Sequence, residues 1–201
     1  MSSLCPFSQW GMDIVGPFPV ATGQRKFLLM AVDYFSKWIE AEPLAQITEN
    51  EVIKFLCKNI ICRYGLSRVI ISDNGRQFQG GKIQDWCAEQ GIQQRFTSVA
   101  HPQANGQVEV INRILIQGIK MKLAQVEGQW VDALPGVLWS YRTTSRSNRG
   151  ETLFNLVYGA DVVIPVEAGP ETFRIQHYEP ENNDCLMRAS LDLIEEVREN
   201  A

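Results

Sequence analysis

Asp13, Asp73 and Glu109 are three carboxylates that each sit inside a distinctive stretch, QWGMDIVGPFP, ISDNGRQF and HPQANGQVEVINR, with 35 residues between the second and the third. Cleaving and rejoining a phosphodiester needs in-line attack by a hydroxyl or water, with charge stabilised on both the attacking and the leaving oxygen. Two Mg²⁺ or Mn²⁺ ions about 3.5 to 4 Å apart supply both functions. These hard cations take oxygen ligands and retain waters, so two Asp and one Glu, completed by water and phosphate oxygens, form a sufficient cage. No nucleophilic side chain is required. Acids so distant in sequence must be converged by the fold, and their mutual repulsion is relieved when metal binds.

The elements that position them can be read from residue patterning. Gln9 to Val15 predicts a short strand carrying Asp13, closed by the Gly16-Pro17-Phe18-Pro19 turn, because prolines cannot continue a central ladder. Lys26 to Phe35 and Lys37 to Glu42 predict two more strands, joined closely enough to run antiparallel. Thr48 with Glu51 forms a capping-box signal, and apolar residues then recur at helical spacing until Gly65. Val69 to Ser72 is a β-branched strand that delivers Asp73 at its carboxyl end, the edge where open α/β sheets place their chemistry.

Further on, Lys82 to Gln90 reads as a helix and Ile92 to Thr97 as a strand, followed by a polar loop from Ser98 to Gly106. Helical periodicity from Asn105 to about Gln125 places Glu109 on the first turn, facing outward. Gln129 to Arg142 predicts a core helix interrupted or bent at Pro135 and Gly136, and Thr152 to Tyr158 one more short helix. Residues 4–160 are read as the core and 161–201 as an acidic, loosely packed tail with a possible short helix.

Composition narrows the function classes. With 201 residues, 45% hydrophobic and 21% charged, the chain can bury a core of its own. The five cysteines are odd in number and scattered, and only His101 and His177 are available, so neither a disulfide framework nor a zinc module is expected. No apolar run reaches membrane-spanning length and the N-terminal residues lack a signal-peptide pattern, which predicts an intracellular protein. The net charge of −4 argues against gripping nucleic acid by bulk electrostatics, but it is uneven. Residues 1–150 carry 16 basic against 12 acidic side chains, and residues 151–201 carry 3 against 11.

Between Pro6 and Gly159 the chain resembles the catalytic core of integrases from retroviruses and LTR retrotransposons, especially the gypsy type of plant elements. The three acidic stretches carry the resemblance in order, followed by WVDALPGVLWSYR and GETLFNLVYG. It implies an α/β, RNase H-like fold, with a mixed five-stranded sheet flanked by helices. It also implies metal-dependent processing of DNA ends and their transfer into target DNA by a homodimer or higher oligomer, with a nuclear location following from the substrate. Asp13, Asp73 and Glu109 fall on the family's metal-binding positions, for two Mg²⁺ or Mn²⁺ ions. Asn105 and Arg113 fall where the family approaches its own DNA, Arg113 through phosphate; helix capping for Asn105 and a solvated charge for Arg113 are the alternatives.

His101 reads as a loop residue rather than a general base, because metal already activates the nucleophile, and the five tryptophans read as core. The family's flanking zinc and carboxyl-terminal domains are not recognised here, and Ile116 is apolar where relatives often place another base. Two further readings stand beside catalysis. A ribonuclease H would require a fourth carboxylate and gives no reason for HPQANGQVEVINR, whereas a degenerate core would serve only as a nucleic-acid- or chromatin-associated binding and dimerisation module.

Overall fold

A computed structural model describes residues 5–97, 117–123, 129–145, 151–159 and 162. The chain divides into two compact units, Met1–Trp139 and Ser140–Ala201. In the first, five strands form one sheet in the order β3-β2-β1-β4-β5: β1 (Gln9–Val15), β2 (Phe27–Asp33), β3 (Ile39–Leu44), β4 (Val69–Ser72) and β5 (Gln93–Phe96). The first three are antiparallel neighbours, and β4 and β5 add on in parallel. The Asp13 strand therefore lies at the centre of the sheet.

β2 supplies much of the core. Leu28, Leu29, Met30, Ala31 and Val32 are all fully buried, so both faces of the strand are covered. Burial of each large side chain is worth about 1.5–3 kcal/mol. The strand ends two residues earlier than its apolar run suggests. Asp33 turns the chain there, its carboxylate accepting N–H bonds from Ser36 (2.7 Å) and Phe7 (3.0 Å) and the Ser36 hydroxyl (2.7 Å). Pro43 falls on β3, an edge strand of the sheet, where its missing N–H costs no ladder bond.

The β1–β2 connection requires glycine at position 16. Its φ is +141°, and a Cβ would stand 2.7 Å from the Lys26 carbonyl oxygen. Beyond it, Phe18 stacks on Trp130, with ring centroids 4.7 Å apart, and the Trp130 indole donates to the Pro19 carbonyl at 2.9 Å.

The predicted first helix opens as α1 (Glu49–Phe55), passes through a π-helical segment (Leu56–Ile61) and closes as α2 (Cys62–Tyr64) before Gly65 at φ +85°. Thr48 Oγ1 accepts the Glu51 N–H at 3.3 Å, but the Glu51 carboxylate binds Lys54 at 2.7 Å. The π segment and α2 are tied to β3. Asn59 donates to Glu42 at 2.8 Å, and the nearly buried Glu40 accepts from Trp38 (3.0 Å), Arg63 (3.1 Å) and Tyr64 (2.6 Å). A carboxylate this buried is tolerated because each oxygen is satisfied.

After β4 come α3 (Arg76–Gln79) and α4 (Gly81–Glu89), whose Ile83 N–H is capped by Glu49 of α1 at 3.1 Å. Residues 117–123 form α5, with Ile119 and Leu123 buried. An interruption or a bend is expected at Pro135 and Gly136; helix α6 (Trp130–Thr143) runs on through both without interruption. Of the tryptophans, Trp10, Trp38 and Trp130 are core, Trp86 is half-buried, and Trp139 departs from the core expectation at 45% exposure. In the second unit, α7 (Leu153–Tyr158) is capped by Thr152, which accepts the Asn155 N–H at 3.0 Å, and ends at Gly159 in the left-handed region. No helix among the described residues is long and apolar enough to cross a membrane.

Candidate metal centre

Parallel pairing between β1 and β4 aligns Gln9 with Val69, Trp10 with Ile70 and Gly11 with Ile71. Asp13 lies two residues beyond Gly11, and Asp73 two beyond Ile71, so the same register carried forward brings the two acids to one level. Neighbouring strands are separated by about 4.8 Å, and residues at matching levels project from the same face. Because β4 ends at Ser72, Asp73 is delivered at the carboxyl edge rather than within the ladder.

Their surroundings differ. Asp13 is half-buried, and its Oδ1 accepts the Ile14 N–H at 2.8 Å. Asp73 is exposed, and its Oδ1 accepts the Gly75 N–H at 3.0 Å, the Asx-turn that the Asp-Asn-Gly sequence favours. Asn74 steadies the same turn, donating to the Thr97 carbonyl at 3.3 Å and accepting from Gln79 at 2.9 Å. A Cβ at Gly75 would meet the Gln77 amide and lie 2.9 Å from Asp73 Oδ1, so a side chain there would have to displace one or both of these groups. The part Gly75 plays in shaping the Asp73 carboxylate emerges only from this close approach.

Asp13 and Asp73 offer the oxygen donors that a hard divalent cation takes, so these two of the three predicted ligands suit Mg²⁺ or Mn²⁺. Glu109, Asn105, Arg113, His101 and Ile116 lie outside the described residues. Among the described residues no three His, Cys, Asp or Glu side chains converge in a way that could hold a metal.

The integrase core domain model matches residues 3–102, a span that contains both aspartates. Over 154 residues, or 77% of this chain, the sequence is 36% identical to the Gag-Pol polyprotein of avian reticuloendotheliosis virus, of which it spans 13%. Two solved structures share the fold. The HTLV-2 integrase catalytic core domain, solved in complex with magnesium in a trimeric form, gives a TM-score of 0.57 at 22% identity, over 76% of this chain and 97% of that one. A chain of the simian T-cell lymphotropic virus intasome gives 0.63 at 24% identity, over 86% and 62%. The five-stranded mixed sheet with flanking helices is accordingly RNase H-like. From the acidic stretches through the strand order to these likenesses, every level leads to one assignment: the chain belongs to the integrase core domain family.

Proposed function

We propose that this chain is a metal-dependent polynucleotidyl transferase core that processes DNA ends and joins them to target DNA. The observation that supports the reading is the β1–β4 pairing, which ends at Gly11 and Ile71, two residues short of Asp13 and Asp73 on adjacent strands. Asp13 is anchored on the central strand, where it pairs with Met30 of β2 just past the end of the β4 ladder. Asp73 is set by its turn. Glu109 is the third ligand of the proposal, and the N–H bonds from Ile14 and Gly75 orient the two aspartate carboxylates.

When bound, a pair of Mg²⁺ or Mn²⁺ ions supplies activation of the attacking hydroxyl and neutralisation of the leaving oxygen. The protein groups hold the phosphodiester and its attackers in line, a contribution made by position and charge rather than by covalent catalysis. Arg113 is proposed to contact phosphate, and Asn105 to approach the DNA from before the acidic helix. Residues 4–160 are taken as the core and 161–201 as an acidic tail. The core acts as a homodimer or higher oligomer in the nucleus, where its DNA substrate lies.

The test is nicking or disintegration of branched DNA by the purified chain, with Mg²⁺ or Mn²⁺ present and after chelation. Activity that needs the ion and is lost in Asp73→Asn supports the reading; activity indifferent to chelation overturns it. A chain that binds no Mn²⁺ calorimetrically yet forms a stable dimer would instead be a binding module.

A further inference from the structure

The helical run between β3 and β4 contains a thiol pair that the proposed chemistry does not use. The backbone is wound as a π-helix from Leu56 to Ile61, and the Cys62 N–H donates to the Cys57 carbonyl, five residues back. In an α-helix, residues five apart lie about 140° apart around the axis and roughly 8–9 Å apart at Cα. A π-turn takes in an extra residue, so position i+5 rises over position i as a one-turn neighbour. Neighbours one turn apart on a helix have Cβ atoms about 5–6 Å apart. That spacing approaches what a disulfide bridges, whereas the α-helical spacing for the same two residues lies outside it.

Cys57 and Cys62 thus lie at the two ends of a single π hydrogen bond, Cys57 half-buried and Cys62 exposed. Burial raises the Cys57 thiol above its ordinary range, and Cys62 alongside raises it further. Cys87 offers no such chemistry. It is buried, and burial pushes its thiol up to about 11.

We propose that Cys57 and Cys62 form a dithiol modification site, which closes to an intrahelical disulfide by exchange with a low-molecular-weight disulfide such as oxidised glutathione. The exposed Cys62 thiolate attacks one sulfur of glutathione disulfide, breaking its S–S bond and expelling one glutathione thiolate. The Cys57 thiolate then attacks Cys62 Sγ in the mixed disulfide and expels the second. Two protein thiols are oxidised, one small disulfide is reduced to two thiols, and the protons pass to the departing glutathiones. Closure fastens the π register that holds Asn59 on Glu42, and Arg63 and Tyr64 on Glu40.

The full chain is incubated with oxidised glutathione, quenched by alkylation at low pH and digested with trypsin, which cuts after Lys58, between the two cysteines. The expected product is the peptide ending at Lys58 joined through Cys57 to the peptide containing Cys62, at a rate independent of protein concentration. In Cys57→Ser, Cys62 should stop at the glutathione adduct. The wild-type map decides the matter even if that variant does not fold. A persistent adduct on wild-type Cys62, two thiols that remain fully alkylatable, or a bridge from Cys62 to Cys5 or another cysteine each overturns the proposal.

Discussion

Asp13 and Asp73 each lie two residues past a paired position, Gly11 and Ile71, on adjacent parallel strands, so a single register places both at the same height. Asp73 is exposed and Asp13 half-buried. Asp73→Asn should therefore leave folding stability within about 0.5 kcal/mol, as for most surface replacements. If the pair helps to hold cations, the same change should weaken Mn²⁺ binding by at least about 100-fold, more than the loss of an outer-sphere partner costs. Calorimetric titration alongside urea unfolding separates the two effects, and unchanged Mn²⁺ affinity would remove Asp73 from the ligand set.

Gly75→Ala probes the turn rather than the ligand. The added methyl group would crowd the Gln77 amide and come within 2.9 Å of Asp73 Oδ1, yet Gly75 has an ordinary extended backbone at φ −62°. The fold should therefore survive while the Asp73 carboxylate is turned aside. A fall in Mn²⁺ affinity of about 10-fold with an unchanged thermal midpoint is expected, in the range for groups that orient a ligand. If Gln77 simply swings away and affinity is unaltered, the turn does not set the carboxylate.

The elements on which this edge depends were readable because their signals are local. Val69–Ser72 is a β-branched run bounded by turn residues, and Gln9–Val15 ends where Gly16 and Pro17 forbid continuation; both boundaries match the structure. Where prediction and structure differ, a tertiary bond prevails. The aromatic run through Phe35 looks like continuing strand, but the Asp33 carboxylate captures Ser36 and the N–H of the distant Phe7 and turns the chain. The π winding between Leu56 and Ile61 leaves the apolar spacing nearly intact, so periodicity reads it as ordinary helix. Its evident supports, Asn59 on Glu42 and Tyr64 on Glu40, span 17 and 24 residues of sequence. The register that levels the two aspartates is likewise a property of strand pairing, invisible to any window of sequence.

Asp33 gives the chain a pH dependence of defined sign. Burial raises its pKa above 3.8, and the bonds from Ser36 and Phe7 only partly oppose this. A folded-state pKa above the unfolded value means that the native protein takes up the proton first as pH falls. The contribution of Asp33 to stability is thus fully present below the unfolded pKa and is lost as pH rises through the folded one. Protonation is accommodated because the Ser36 hydroxyl can reverse its bond and accept. Wild type should gain on Asp33→Asn as pH is lowered from 7 toward 4 in urea-unfolding series. A gap between the two that is constant or shrinking over that range contradicts the assignment.

Trp130 is where α6 meets the β1–β2 connection, and it joins three contributions in one side chain. It is 1% exposed, stacks on Phe18 and donates to the Pro19 carbonyl. Removing it leaves a cavity, so Trp130→Ala should cost about 3–5 kcal/mol. Trp130→Phe retains most of the ring contact but loses the N–H; Pro19 is exposed and its carbonyl can turn to water, so the loss should be only about 0.5–1.5 kcal/mol. The ordering matters more than either value. Because Pro19 follows the turn that closes the Asp13 strand, both variants should also raise hydrogen exchange at the β1–β2 connection more than at β5. Equal loosening of both segments would mean that Trp130 stabilises the unit as a whole and does not anchor this connection in particular.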